Sequence, residues 1–333
     1  MSSTDSTLPD DIKFYFTTIV MPIGFSTNAI STIIFFKKSL NKLTNMGMLY
    51  GWFTILNCIA LMNLLVFNIL DYNGVDYLDT VFTCKFLNVW NKIVIEFPSF
   101  QQSLIAFFLW IQISFPNKYK QAILKTYYFN LGIAVYILTT VSLNYSYYLD
   151  FDTSLNSTFL ESNQNLSTVC TDNNNVDFMA DIIHIINRAF LPCFLIFVFN
   201  ALSLKHISKS RKRFKKLPEK SSNLVYCIIG MNLLFLMTYM PWTVAFIIHH
   251  VSNFINDDVN NTEGANFVNS LIFKMFFAIC DCISYLNNMS PFFFNIVFNS
   301  IFRREFSLLL RINMGKISQS TSSTKMTINF INY

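Results

Sequence analysis

The chain has 333 residues, of which 53% are hydrophobic and only 13% are charged, and its formal net charge is +5. Because soluble globular proteins carry about 25% charged residues, this composition excludes an ordinary soluble domain. Phenylalanine alone occurs 37 times, and a soluble fold would leave much of that aromatic surface exposed to water. The composition indicates a protein that folds in a lipid bilayer.

Seven long apolar stretches follow one another along the chain. A membrane-spanning helix needs about 20 mostly apolar residues, and backbone groups in lipid must be hydrogen-bonded internally, so these stretches are predicted to be helices. They lack the alternating pattern of about 10 residues that is typical of strands in a membrane barrel. The predicted spans cover residues 14–36, 43–70, 97–117, 126–149, 189–204, 221–256 and 275–301.

Basic and acidic residues alternate between the connecting segments. The segments after the first, third and fifth predicted spans, together with the C-terminal tail, hold most of the Lys and Arg residues, whereas the remaining segments are mainly acidic. Basic loops stay in the cytoplasm. We therefore expect an all-α bundle of seven transmembrane helices over residues 14–311, with an extracellular N-terminus over 1–13 and a disordered cytoplasmic tail over 312–333.

Two cysteines and three glycosylation tripeptides fall in segments that this topology places outside the cell. Cys84 lies at the outer end of the third predicted span, and Cys170 lies in the long segment before the fifth. A disulfide between them is expected because that side is oxidising, although the sequence alone does not prove the pairing. Each tripeptide of the Asn-x-Ser/Thr type predicts an N-linked glycan, and the three acceptors are Asn156, Asn165 and Asn260.

Short motifs recur in order along residues 14–311. They are Gly-x-x-x-Asn in the first span, a proline in the fifth, Phe-x-x-x-Tyr-x-Pro in the sixth and Ser-Pro-x-x-Phe in the seventh, with key positions Asn28, Pro192, Phe235, Pro241 and Pro291. Together these motifs resemble those of rhodopsin-like G-protein-coupled receptors. The resemblance implies a multi-pass receptor of the plasma membrane, divergent and of the invertebrate neuropeptide type, whose conformational switch includes these positions.

The resemblance also implies partners on the cytoplasmic side. The segment Phe302–Phe306 is similar to the family's short amphipathic eighth helix, whose basic residues meet membrane lipid. The basic segment from Lys205 to Lys220 is a candidate surface for a heterotrimeric G protein, or for lipid alone. Phosphorylation of the Ser/Thr-rich tail would recruit an arrestin-like protein.

Two departures from the family pattern affect the expected function. The second span has Asn57, or alternatively Asn63, as the substitute for the family's buried Asp, which weighs against modulation by sodium. In the third span, the spacing from Cys84 and from Pro116 places Leu109 where the family has an Arg that contacts the G protein. Leu109 therefore weighs against ordinary coupling, and it leaves open a non-coupling receptor or a chemoreceptor.

Charged residues within the predicted spans are the candidate ligand-binding residues, because charges are costly in lipid. Lys92 and Glu96 are four residues apart on one helix face, and a pair that merely neutralises itself is the alternative interpretation. Family geometry implies that Arg188 faces Glu96 and that Asp281 points inward from the last span.

Three uncharged residues complete the candidate site. Asn91 falls in the pocket-facing stretch of the family's third helix, where amine receptors have an Asp, so a small monoamine is not the expected ligand. Tyr239 and Trp242 would add an aromatic floor and wall. Mixed charges and aromatic rings favour an extracellular peptide as the ligand.

Other classes of function fit the sequence less well. A transporter or channel favours inverted repeats and helices broken in matching halves, and the sequence contains no internal repeat. An enzyme is not expected because the spans lack metalloprotease, serine-hydrolase and paired-Asp motifs. No cofactor, no metal and no nucleic-acid partner are expected either.

Overall fold

The computed structural model describes residues 8–37, 46–75, 81–114, 182–213, 219–259 and 270–319, together with positions 134, 138 and 142. The regular structure of these residues is helical throughout. In chain order the elements are α1 (Leu8–Phe35), α2 (Met46–Tyr72), α3 (Val81–Ser114), a π-helical turn (Ile186–Phe190), α4 (Leu191–Arg213), α5 (Glu219–Val259), α6 (Leu271–Phe298) and α7 (Ser300–Gln319).

Six helical stretches of the described residues are long and apolar enough to cross a bilayer: Leu8–Phe35, Gly47–Tyr72, Val89–Ser114, Ile182–Ser208, Cys227–Ser252 and Leu271–Phe298. The prediction of an all-α, multi-pass membrane protein is thereby confirmed. The six stretches correspond to every predicted span except the fourth. That span, residues 126–149, lies outside the described residues apart from Ala134, Leu138 and Ser142, so the number seven stays a prediction.

The described helices extend past the predicted boundaries at both ends of the chain. α1 begins at Leu8 rather than near residue 14. Asp10 and Asp11 lie in its first turn, where carboxylates stabilise the positive end of the helix dipole, and Pro9 is tolerated there because the first N–H groups have no helical partner. α7 ends at Gln319, so residues 312–319, assigned from the sequence to the disordered tail, continue a helix.

Contacts between neighbouring helices show that α1, α2 and α3 alternate in direction. The ring of Trp52, early in α2, packs 6.3 Å from that of Phe36 at the end of α1. The hydroxyl of Tyr72, at the end of α2, donates to Asp11 at the start of α1 over 3.1 Å. The contacts that set the opposite directions of α2 and α3 are Asn63 with Asn91 and Leu49 with Gln101.

The helix that begins at residue 182 runs in the same direction as α3. His184 contacts Glu96 early in both helices, and Phe199 stacks on Trp110 further along both, with ring centroids 5.7 Å apart. α6 likewise runs parallel to α1. Asp281 of α6 lies against Lys13 near the start of α1. Further along both helices, the side chain of Asn28 donates to the backbone carbonyl of Asn288 in α6.

These directions place several aspartates at one end of the bundle and several lysines and arginines at the other end. The end that contains the start of α1, here the acidic end, carries Asp10, Asp11 and Asp71, together with one exposed lysine, Lys274, at the start of α6. The opposite end, here the basic end, carries Lys37, Lys205, Arg303 and Arg304. The interior of the basic half is an apolar cluster of buried side chains: Ile34, Phe35, Leu49, Tyr50, Phe53, Ile105, Leu109, Ile228, Met231 and Phe302.

Two glycines allow close approach of the helices. A Cβ atom on Gly24 of α1 would lie 2.6 Å from Met289 of α6 and 2.9 Å from Leu61 of α2. A Cβ atom on Gly230 of α5 would lie 2.7 Å from the ring of Phe294. Both separations are too short for real atoms, so the absent side chains are part of how α1, α5 and α6 pack. Small residues serve this purpose widely at helix contacts within membranes.

Candidate functional site

Charged and aromatic side chains from several helical elements meet inside the acidic half of the bundle. α1 contributes Lys13, α3 contributes Glu96, and the segment before α4 contributes His184 and Arg188. α5 contributes Tyr239 and Trp242, and α6 contributes Asp281 and Tyr285. We call this set of residues the charged cluster.

The π-helical turn positions Arg188. The N–H of Leu191 donates to the carbonyl of Ile186, five residues earlier, so this turn is wider than an α-helical one. Pro192 follows, and because proline has no N–H it cannot make the α-helical hydrogen bond to the carbonyl of Arg188. The wide turn brings Asn187, Arg188 and Ala189 inside together, with all three side chains buried. Such turns occur frequently at functional sites.

The guanidinium of Arg188 is buried against two aromatic rings. Its Cζ atom lies 3.9 Å from the ring centroid of Trp242 and 5.8 Å from that of Tyr239. Arg188 is 6% exposed, and its Nε atom has no hydrogen-bond partner among the described residues. Asp281 and His184 are both close enough to interact with its charge. A cation over an aromatic face is attracted by about 2 kcal/mol when both are desolvated.

Glu96 is fully buried and contacts His184 rather than Arg188. The Oε1 atom of Glu96 lies 2.8 Å from Nδ1 of His184. The direct contact of Glu96 Oε1 is thus with His184, one turn before Arg188, and the prediction that Arg188 faces Glu96 stays a prediction. Sequence reasoning missed His184 because this residue precedes the predicted fifth span, which was taken to begin at residue 189.

Asp281 joins α6 to α1 through an ion pair. Its Oδ2 atom lies 3.0 Å from Nζ of Lys13 and accepts a hydrogen bond from the hydroxyl of Tyr285 over 2.7 Å. Asp281 is 6% exposed, whereas the side chain of Lys13 is 37% exposed. Sequence reasoning placed Lys13 in the extracellular N-terminal segment because it precedes the apolar run, and it therefore missed this partner.

Asn91 and Lys92 lie at the side of the charged cluster. Oδ1 of Asn91 accepts a hydrogen bond from Nδ2 of Asn63 over 2.6 Å, and Oδ1 of Asn63 accepts one from the indole of Trp90 over 3.0 Å. Asn91 therefore serves the contact between α2 and α3. Lys92 is partly buried and close enough to His184 for their charges to interact.

Below the charged cluster, Gln102 connects three helices. Its Nε2 atom donates to the carbonyl of Met231 over 3.1 Å and to Oδ1 of Asn232 over 3.4 Å. Its Oε1 atom accepts from Nδ2 of Asn287 over 3.2 Å, and Asn232 donates in turn to Asn200 over 2.9 Å. This amide network, missed in the sequence because it carries no charge, separates the charged cluster from the apolar basic half.

The predicted switch residues lie at several levels of the bundle. Asn28 donates to the carbonyls of Gly24 and Asn288, which joins α1 to α6, and Asn57 donates to the carbonyl of Phe53 within α2. The ring of Phe235 stacks on that of Tyr239 at 4.4 Å, directly below the charged cluster.

The remaining switch positions are one leucine and three prolines. Leu109 is 1% exposed within the apolar cluster of the basic half. Pro192 follows the π-helical turn and Pro291 is buried within α6, whereas Pro241 is exposed on α5 beside Trp242. The structure gives their positions, and their role as a switch stays a prediction.

Several predicted sites lie outside the described residues. Cys84 belongs to α3, but its side chain and the whole of Cys170 are outside them, so the disulfide stays a prediction. The same holds for the glycosylation acceptors Asn156, Asn165 and Asn260. Within the described ranges, no group of three or more His, Cys, Asp or Glu side chains is arranged to hold a metal ion.

Comparison of the sequence with protein-family models and with curated proteins finds no match.

Proposed function

We propose that the protein is a seven-helix receptor of the plasma membrane, related to the rhodopsin-like family. It binds an extracellular ligand of peptide type in the charged cluster and transmits the signal to the cytoplasm. The observation that carries the proposal is the burial of Glu96, Arg188 and Asp281, from three different helical elements, in one half of the bundle, with Arg188 over the rings of Tyr239 and Trp242. Buried charges weaken a purely structural bundle, and charges inside membrane helices default to functional roles.

Helix direction supports a seventh crossing. α3 and the helix that begins at residue 182 are parallel, so the chain between them has to return across the membrane an odd number of times. The apolar residues 126–149 are long enough for one such crossing. The parallel directions of α1 and α6 favour the same odd total.

The charge distribution supports an extracellular N-terminus. Lys37, Lys205, Arg303 and Arg304 share the basic end, and positively charged residues flanking membrane helices remain in the cytoplasm. The charged cluster would then open toward the outside, where a peptide reaches it. α7 would lie along the inner membrane surface as the expected eighth helix.

A route for the signal follows from the contacts of α5. Trp242 contacts Arg188, and Tyr239 stacks on Phe235. Pro241 lies between Tyr239 and Trp242 in the chain. A proline within a helix interrupts its hydrogen bonds and permits bending. A ligand that binds one position of Trp242 better than another would shift the bend of α5 and with it the basic end.

The test is a peptide and amine panel applied to cells that display the full chain at their surface. Nucleotide exchange on a promiscuous G protein is the readout. We expect a response that Trp242→Ala abolishes and that Met240→Ala leaves unchanged, because Met240 is 53% exposed on the opposite face of α5. Absence of any response at normal surface expression would contradict the coupling receptor.

A non-coupling receptor is the second candidate, favoured by the packing of Leu109. Leu109 fills the apolar cluster between α3 and its neighbours at the position where the family presents an Arg to the G protein. Such a receptor would bind and internalise its ligand without nucleotide exchange. Uptake of labelled peptide, blocked by Trp242→Ala and unaccompanied by exchange, would identify this case.

A further inference from the structure

We infer that the ligand carries a carboxylate that pairs with the guanidinium of Arg188. This inference rests on the proposed function, because it assumes that the charged cluster is a ligand site. It adds the chemical class of the group recognised there and the residue that recognises it.

The buried carboxylates of the cluster already have closer partners than Arg188. Asp281 contacts Lys13 at 3.0 Å and Tyr285 at 2.7 Å, and Glu96 contacts His184 at 2.8 Å. Among the described residues, no carboxylate lies within the 4.0 Å of an ion pair with Arg188. Arg188 and Asp281 interact electrostatically at a distance, without direct contact.

The fixed charges of the charged cluster are two cations, Lys13 and Arg188, and two carboxylates, Glu96 and Asp281. Asp281 is in direct contact with Lys13 and Glu96 with His184, so Arg188 is buried without a direct contact to either carboxylate. Desolvating a cation without a direct partner is costly, and an anion that arrives at the site removes this cost. A ligand with a carboxylate therefore complements the cluster better than a neutral or cationic one.

The geometry of Arg188 suits carboxylate recognition. One face of the guanidinium lies over Trp242, 3.9 Å from the ring centroid, which holds the group in place. The N–H donors point outward from the edge of a guanidinium, and the Nε donor makes no hydrogen bond within the described part of the chain. A guanidinium edge matches the two oxygens of a carboxylate, an arrangement that lysine cannot reproduce.

The experiment measures thermal unfolding of the purified full-length protein in lipid nanodiscs. The probes are N-acetylphenylalanine, which carries a carboxylate and a ring, and its uncharged amide. At about ten times its Kd the carboxylate should raise the Tm by about 3 °C, whereas the amide should not. Arg188→Met should abolish this shift, and Arg188→Lys should retain only part of it.

Unfolding without any probe supplies a second readout. Arg188→Met removes a buried cation that lacks a direct partner, so the Tm should stay equal or rise. Asp281→Asn is the matched control, since it breaks an existing ion pair and should lower the Tm. A fall in the Tm of Arg188→Met as large as that of the control, or failure of this variant to fold, would show a structural role and overturn the inference.

The inference also fails if both probes shift the Tm equally, if neither does so at any soluble concentration, or if Arg188→Met keeps the shift. These outcomes are separate from failure of the proposed function. A carboxylate response without any signalling or uptake would remove the receptor and keep the anion site. Conversely, peptides could signal with a potency that neither Arg188→Met nor replacement of each peptide carboxylate by an amide changes. That result would remove the anion site and keep the receptor.

Discussion

The two halves of the bundle are built from the same helices and have opposite interiors. In the acidic half, α3 buries Glu96, α6 buries Asp281, and Arg188 is buried against Trp242. In the basic half, further along the same helix from Glu96, α3 buries Leu109 within an apolar cluster that includes Phe302 of α7. The first interior contains charges whose burial lowers stability, and the second contains side chains whose burial supplies it.

This contrast shows how one bundle can combine recognition with a stable fold. The amide network around Gln102 lies between the halves and joins α3, α5 and α6 by hydrogen bonds without carrying charge. Substitutions that move charge from one half to the other, or that remove a partner within one half, therefore test the comparison directly.

The largest effect is expected from placing a charge in the basic half. Leu109→Arg would bury a guanidinium among apolar side chains, where Leu109 is 1% exposed, and should lower the free energy of unfolding by about 4 kcal/mol. Surface expression and thermal unfolding in nanodiscs measure the loss. Leu109→Met, which keeps the volume, should cost less than about 1.5 kcal/mol. Normal surface expression and stability of the arginine variant would show that the basic half tolerates a buried charge.

The next effect concerns the ion pair of the acidic half. Asp281→Asn leaves Lys13 without its carboxylate and should lower the free energy of unfolding by about 2.5 kcal/mol. This value lies below the roughly 3–5 kcal/mol lost when a fully buried pair is broken, because the side chain of Lys13 is 37% exposed.

A double-mutant cycle with Lys13→Met isolates this pair. The second substitution removes the stranded ammonium and should restore part of the lost stability. Losses that simply add would show that the two residues are not coupled.

A smaller effect is expected from the network between the halves. Gln102→Leu should lower the free energy of unfolding by about 1.5 kcal/mol, because the amide of Asn287 and the carbonyl of Met231 lose their partner. Chemical denaturation of the solubilised protein provides the measurement. Gln112→Leu, an exposed position later in α3, is the matched control and should change stability little.

The smallest effect is expected at the surface of the basic end. Lys37 and Glu305 lie 3.7 Å apart, and the side chain of Lys37 is 33% exposed. Glu305 is buried, but it keeps a second cation, Arg304, at 3.3 Å when Lys37 is removed. Pairs of this kind contribute about 0.5 kcal/mol, so Lys37→Met should leave the Tm nearly unchanged at physiological salt. A loss comparable to that of Asp281→Asn would mean that the basic end depends on charge as strongly as the acidic half.

The spans were predictable because apolar length and charge distribution are local properties of a sequence. Intramembrane charges such as Glu96, Arg188 and Asp281 were visible for the same reason. Their partners were not. Lys13 meets Asp281 only after nearly the whole chain has folded, and no local pattern links the two.

Other features escaped because their signals were weak. Gln102 is uncharged, so nothing in composition separates it from other polar residues of α3. The π-helical turn has Pro192 as its only local cause, and a proline at that place is equally compatible with a simple kink. The consequence, the packing of the Arg188 guanidinium over Trp242, depends on the extra residue in that turn and could not be derived from α-helical spacing.

The ion pair between Lys13 and Asp281 has a consequence for biosynthesis. Lys13 leaves the ribosome well before its carboxylate partner, because α2 to α5 lie between the two residues in the chain. A chain in which α6 has not yet inserted keeps an uncompensated ammonium beside the membrane interior. The salt bridge between α1 and α6 therefore forms only after the helices between them have been made.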